Sequence, residues 1–236
     1  VNREPLRSAD AIPYDSVEAA REGAVDYKPE LSGYYQLLTG EGDDQKWDLT
    51  VYRSPAEAEA DGISDEFYKV DYDTSLNPYT GNDQVATKDT ANYACGWKSV
   101  TLPASWQTQG FDFPIFINIT YPWPGHYGNA NDPVPAAPKV FNPVGFYRRS
   151  FDVDPAWMED GKKVYISFQG VESCMYLYVN GHEVGYAEDS FDAKDFDITP
   201  FLNEDGKDNV LAVKVIRWSD GSYKEDQDYL RLAGIF

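Results

Sequence analysis

A two-sheet, all-β sandwich is what this 236-residue chain predicts, and three observations carry that expectation. From Val144 onward, β-branched and aromatic residues recur with a period of two. Turn signals separate these runs at short intervals, and helix signatures are scarce. The aromatic residues, 6 Trp, 18 Tyr and 12 Phe, supply enough apolar area for a packed core. The length suits one large β domain or two small ones; it is read here as a single domain over 1–236.

Taken in order, residues 1–30 read as an extended segment in which Ser16 to Arg21 forms a short turn ending near Gly23. Ser54-Pro55-Ala56-Glu57 then has a capping serine, a proline at the first helical position and a glutamate three residues after the cap. It predicts two helical turns that stop at Gly62. With the turn at 16–21, it sets the expected helix at one or two short pieces. Residues 70–94 and 122–143 predict long loops: the first mixes Asp, Asn, Thr and Gly around single aromatics, and the second carries six prolines. Val164, Ile166 and Phe168 alternate with Tyr165 and Ser167, which predicts a half-buried strand; Leu211, Val213 and Val215 repeat the pattern. Met175–Val179 and Glu183–Ala187 flank Asn180-Gly181, a dipeptide that takes positive φ at low cost and closes a tight hairpin.

Charge narrows the function. Twenty Lys and Arg against 40 Asp and Glu leave a formal charge of −20. Such a polyanion repels phosphate backbones and anionic headgroups, so neither nucleic acid nor a membrane is expected as a partner. No apolar run is long enough to span a bilayer, and Val1 to Asp10 does not resemble a signal peptide, which predicts a cytoplasmic location. Cys95 and Cys174 are too few for a disulfide framework and lack zinc-site spacing. Two free thiols are expected, with one bridge as the alternative. His126 and His182 stand beside no nucleophile and in no two-histidine metal spacing, so both are read as exposed loop residues. Phosphate-cradling glycine loops are absent from the sequence.

Two segments stand out chemically. Leu102 to Pro122 is dense in aromatics yet carries amides at Gln107, Gln109 and Asn118. A pyranose offers an apolar face to a ring and a rim of hydroxyls to amides and carboxylates, so this mixture suits a sugar. The competing reading packs Trp106, Phe113 and Phe116 in the core. Arg217 to Phe236 places Asp220, Glu225, Asp226 and Asp228 within nine residues, an oxygen-rich cluster suited to hard cations or to sugar hydroxyls. Asn118-Ile119-Thr120 also matches a glycosylation sequon, relevant only if the chain is secreted.

Together, Val1-Asn-Arg-Glu-Pro, Ser32-Gly-Tyr-Tyr, Pro103-Ala-Ser-Trp-Gln, Phe116-Ile-Asn-Ile-Thr-Tyr-Pro, Asn142-Pro-Val-Gly-Phe-Tyr, Phe168-Gln-Gly-Val, Val179-Asn-Gly, Gly185-Tyr-Ala-Glu-Asp-Ser and Arg217-Trp-Ser-Asp-Gly-Ser-Tyr resemble a known pattern. It is that of the N-terminal sugar-binding domain of bacterial β-galactosidases, glycoside hydrolase family 2. The resemblance implies a jelly-roll β-sandwich of the galactose-binding type. It also implies that catalysis belongs to two glutamates on a TIM barrel that follows an immunoglobulin-like domain. Neither glutamate is expected within 1–236, so Glu188 and Glu225 are not read as catalytic. By motif position, Asn118 and Asp228 would contact the hydroxyls of a galactoside, and Asp228 would also be a ligand to sodium. Glu188 and Asp220 match part of a magnesium site, although the family pattern has Gln where Glu188 stands. A full-length homo-oligomer is implied. Competing readings have Asn118 capping a turn, Asp228 paired with Arg231, and the whole chain acting as a stand-alone carbohydrate-binding module or lectin. Thr39 to Arg53 and Val70 to Asn92 look like insertions relative to that pattern, either surface elaboration or elements that shape the pocket or a subunit contact.

Overall fold

The computed structural model describes residues 12–25, 28–117, 137–225 and 228–236. Its principal layer is a six-stranded, fully antiparallel sheet. The strands in chain order are β1 (Trp47–Tyr52), β2 (Lys98–Val100), β3 (Ala104–Ser105), β4 (Ile115–Ile117), β5 (Val144–Phe151), β6 (Tyr165–Phe168), β7 (Val171–Glu172), β8 (Cys174–Val179), β9 (His182–Ala187), β10 (Lys194–Asp197), β11 (Asn209–Ile216), β12 (Tyr229–Arg231) and β13 (Gly234–Ile235). In space the large sheet runs β2-β1-β5-β11-β8-β9, while β10-β6, β3-β13-β7 and β12-β4 form smaller sheets.

The core forms where the large sheet faces β6, β7, β10 and β13. Leu49, Val51, Tyr147, Leu177, Leu211, Val213 and Val215 point inward from one layer; Ile166, Phe168, Val171, Phe196 and Ile235 meet them from the other. This two-layer, all-β architecture is the expected class. The period-two strands are found where the alternation placed them: Val164, Ile166 and Phe168 are buried, Tyr165 is half-buried and Ser167 exposed. The hairpin forms with φ of 49° at Asn180 and 82° at Gly181, the double positive φ of a tight turn matching strand twist.

Trp106 is fully buried and donates its indole N–H to the Tyr147 hydroxyl at 2.6 Å. A side chain at Gly145 would meet that indole at 2.6 Å, so only glycine lets β5 pass so close. The packed reading therefore holds for Trp106. It fails for Phe116, which is 58% exposed, and Phe113 is half-buried.

Three other expectations are corrected. Within Thr39 to Arg53, residues 47–52 are not surface elaboration: β1 lies within the large sheet between β2 and β5 and is largely buried. Helix is also more frequent than one or two pieces. Among the described residues α1 (Val17–Val25), α2 (Pro55–Ala60), α3 (Ile63–Glu66) and α4 (Ser222–Glu225) form, with several 3-10 turns besides. The turn expected at 16–21 extends because Gly23 is buried against Tyr14 inside α1 and does not end it. The α2 cap is as expected: Ser54 Oγ accepts from Glu57 N–H at 3.2 Å, and Gly62 takes φ 79°. That same glycine then opens α3, so the chain restarts a helix where the sequence signalled a stop.

The 70–94 segment is largely irregular, as expected, with a 3-10 turn at Thr74–Leu76. Asn92 ties it down, donating to Asn82 O at 2.6 Å and accepting from Asn82 N–H at 3.2 Å. Of the 122–143 loop only 137–143 falls among the described residues, and it is irregular. Cys95 and Cys174 are both free thiols, the second buried. No helix among the described residues is long and apolar enough to cross a membrane.

Candidate functional site

The site begins where β11 ends. After Ile216 the chain enters Arg217 and Trp218, both sealed from solvent, then Ser219-Asp220-Gly221, α4 and the ribbon strand β12. Fully buried guanidinium groups demand partners, because an unpaired charge inside a protein is costly. Arg217 donates from Nη1 to Asp112 and, at 3.0 Å, to Phe113 O; its Nη2 donates to Arg231 O at 2.9 Å. Arg231 answers by donating to Glu172 Oε1 at 3.2 Å and to Arg217 O at 3.2 Å. Burial pulls the Arg217 guanidinium below its ordinary pKa, and the adjacent Asp112 carboxylate works against that shift.

Asp112 is a hub for this network. Gln107 donates to it at 2.9 Å, and the Tyr93 hydroxyl donates to it as well. Gln107 also accepts from Ala233 N–H at 3.1 Å, so this amide is spent within the protein and cannot serve on a sugar rim. Trp218 lies beneath both cations, 4.9 Å from Arg217 and 5.6 Å from Arg231. Asn142 clasps the Trp218 backbone with hydrogen bonds of 2.9 Å in both directions. The C-terminal ribbon is thereby fixed to the sandwich through buried, mutually neutralising charges.

Asp228 sits at the free end of this fixed ribbon. It is exposed, and its φ of 53° places a non-glycine residue in the left-handed region. Holding it there costs about 1 kcal/mol. The competing reading that paired Asp228 with Arg231 is not met: Arg231 turns inward to the buried Glu172 carboxylate. Asn118 lies outside the described residues, as do His126 and Asp226. The ladder leading to Asn118 is described: β12 pairs antiparallel with β4, Leu230 opposite Phe116 and Tyr229 opposite Ile117. Ile117 and Tyr229 are the chain neighbours of Asn118 and Asp228. Phe116 and Leu230 are respectively 58% and 50% exposed, which gives the ribbon one apolar outer face.

The acidic residues divide by role. Glu225 accepts from Ser190 N–H at 3.2 Å and Ser190 Oγ at 2.6 Å, a tie between α4 and the segment after β9. Glu188 accepts from the Tyr186 hydroxyl, and the Asp220 carboxyl is near enough to act on its titration. Its pKa is raised, first by burial and then by the hydrogen bond and charge of Asp220 and the charge of Glu225, against relief from Tyr186. Glu188 and Asp220 are thus neighbours in the fold. Among the described residues no group of three or more His, Cys, Asp or Glu is arranged to hold a metal ion. His182 is exposed, as expected, but it is the first residue of β9 and not a loop residue, with its ring 6.1 Å from that of Phe201.

The description "Glycosyl hydrolases family 2, sugar binding domain" matches residues 82–236, which spans β2 to the end of the C-terminal ribbon. The chain belongs to this family. Two similar relatives are β-galactosidases: one from Priestia megaterium, 49% identical over 140 residues, and one from Yersinia pestis bv. Antiqua (strain Angola), 46% identical over 139 residues. Each alignment covers 59% of this chain, but only 13% of the Priestia protein and 12% of the Yersinia protein. A β-glucuronidase from Bacteroides uniformis is similar in structure, with a TM-score of 0.46 at 20% identity, covering 80% of this chain and 16% of that one. The ribbon carrying Asp228 and every strand of the large sheet except β1 fall within the matched residues of this sugar-binding domain.

The sequence missed the network that holds the site. Asp112 and Arg217 are 105 residues apart, and Glu172 and Arg231 are 59 apart. The one available signal was Arg217 itself, a cation directly following the strongest strand pattern in the chain.

Proposed function

We propose that this sugar-binding domain serves a β-galactosidase, one that hydrolyses terminal β-galactosides with retention, and that it contributes substrate contacts without being catalytic. The catalytic glutamates would lie on other domains of the same chain, in a full-length protein that assembles as a homo-oligomer. The observation that carries this reading is the β4–β12 ladder, which pairs the chain neighbours of Asn118 and Asp228 at the open end of a buried, charge-neutral anchor. Asp228 makes no hydrogen bond or ion pair to another described residue, and it is exposed. An ionised carboxylate of that kind can accept two hydroxyl hydrogen bonds, while the amide of Asn118 can donate and accept.

Cation roles belong to the same proposal. Asp228 would give one carboxylate oxygen to sodium, and Glu188 with Asp220 would give part of a magnesium site; hard oxygen donors suit both ions. A bound magnesium would neutralise the repulsion between Glu188 and Asp220, and further ligands would have to come from outside the described residues. The fit is therefore partial for magnesium, and no chemical step depends on it.

If the neighbouring domains normally cover this face, the isolated chain should associate weakly through exposed aromatics. Phe191, 64% exposed, and Phe236 flank a recess of ≈ 380 Å³ at the chain end, and Phe116 and Leu230 cap the ribbon. Sedimentation is expected to show reversible self-association at high concentration; a clean monomer would count against it. The direct test of function is steady-state kinetics of the full-length enzyme carrying Asp228→Asn. A normal kcat/KM would reduce the ribbon to a structural part.

A further inference from the structure

The outward face of the large sheet carries a second constellation. Beside α2 and α3 a cleft of ≈ 630 Å³ opens between those helices and strands β5, β8 and β11. No residue of the β4–β12 ribbon lines it. Lys214 projects from the middle of β11 into the cleft, its ammonium 4.3 Å from the centre of the Tyr176 ring. Tyr68 and Tyr178 form one wall, stacked with ring centres 4.6 Å apart and planes 12° from parallel. Glu59, Asp65 and Glu183 stand around the rim.

The hydrogen-bonding of these groups is what marks the cleft. Among the described residues, the Lys214 ammonium and the hydroxyls of Tyr68, Tyr176 and Tyr178 have no hydrogen-bond partner, and each of these atoms opens to solvent. None of the three rim carboxylates approaches Lys214 closely enough to form an ion pair. By contrast, the buried cations Arg217 and Arg231 are each paired with a carboxylate. Here a partly buried ammonium, the phenols of Tyr68 and Tyr178 and three carboxylates line one concavity, their side chains without a hydrogen-bond partner among the described residues. Maintaining a desolvated lysine with nothing but a ring beneath it costs stability, and burial does hold its pKa below the ordinary lysine value.

We propose that this cleft binds a neutral, hydroxyl-rich ligand, a saccharide in chemical class, at a site separate from Asp228. The ammonium donates to ring or hydroxyl oxygens, the carboxylates accept from hydroxyls, and the tyrosine wall takes the C–H face of a pyranose. The size falls within the range of small-molecule sites. Three carboxylates against one lysine leave an excess of negative charge, which turns away uronic acids. The lysine at the centre of the floor turns away polyamines.

The test is an amide-resolved NMR titration of the 236-residue chain with lactose, run to tens of millimolar. Shifts are expected in 55–68, 178–183 and around Lys214. Lys214→Met and Tyr68→Ala should each weaken binding about tenfold with the thermal midpoint checked to confirm folding. Asp228→Asn should leave these shifts unchanged, so the cleft and the ribbon succeed or fail separately. Galacturonate should shift the same amides less than lactose does. Shifts confined to the ribbon, lactose affinity untouched in both cleft variants, tighter binding of spermidine or galacturonate, or no shift at all would overturn the proposal.

Discussion

The cations on the two sides of the large sheet are treated in opposite ways. At the C-terminal ribbon, Arg217 and Arg231 are sealed, and each is matched to its own carboxylate. On the outward face, Lys214 is partly buried with its ammonium 4.3 Å from the Tyr176 ring, and among the described residues it has no hydrogen-bond or ion-pair partner. Fully paired charge fixes geometry, because removing either partner strands the other in a low-dielectric interior. Charge left without a hydrogen-bonding partner keeps its capacity for something that arrives from outside. The difference separates groups that build a site from groups that form one.

Breaking the paired side should give the largest effect. Arg217→Met would leave Asp112 buried without its cation, and a loss of about 3 to 5 kcal/mol is expected in chemical denaturation. A loss below about 1 kcal/mol would mean the network is not the anchor described. Trp106→Ala should cost about as much, 3 to 5 kcal/mol, from cavity formation alone, and so calibrates that comparison.

The outward side should respond with the opposite sign. Lys214→Met is expected to leave stability unchanged or raise it by about 1 kcal/mol, because a desolvated charge is replaced by an apolar chain. Its pH dependence follows from the lowered lysine pKa. Between that depressed native value and the ordinary 10.5, the unfolded chain holds more protons, so stability should rise with pH across this window. The variant should abolish the rise. Loss of stability in Lys214→Met would show that the lysine is a structural partner after all.

Smaller effects sharpen the ribbon. Asp228→Gly should be more stable than Asp228→Ala by about 1 kcal/mol, the relief of a left-handed non-glycine residue; thermal unfolding of the two variants decides it. Glu188 titrates the other way from a paired carboxylate. Its native pKa is raised, so stability should be highest below the unfolded value of 4.5 and decline as pH climbs through the native value. Glu188→Gln should flatten that decline, by a few tenths of a kcal/mol for so solvated a group. A magnesium-dependent gain in the parent but not in the variant would place the ion there.

Much of the sandwich was legible because half-buried strands write their environment into alternate positions. Val164, Ile166 and Phe168 did so, and so did Leu211, Val213 and Val215. The strand β1 was illegible for the converse reason. Trp47-Asp-Leu-Thr-Val-Tyr52 is covered on both faces, by the core and by α2 and α3, so no alternation survives to mark it as a strand. Asp228 was singled out by its motif, yet nothing local announced that it would stand in the left-handed region on a ribbon held by residues more than a hundred positions away. Lys214 was hidden in plain alternation, the one charged residue on the outward face of the otherwise largely apolar strand β11.

The central claim is that the carboxylate of Asp228 is held out by the ribbon to touch substrate. Steady-state kinetics of the full-length enzyme with Asp228→Asn, on a β-galactoside and with sodium varied, tests it most directly. A fall in kcat/KM of about 10- to 100-fold is expected, the worth of a hydrogen bond to a charged group, together with a weakened response to sodium and an unchanged thermal midpoint. A variant that retains both the parental kcat/KM and its sodium dependence would contradict the account.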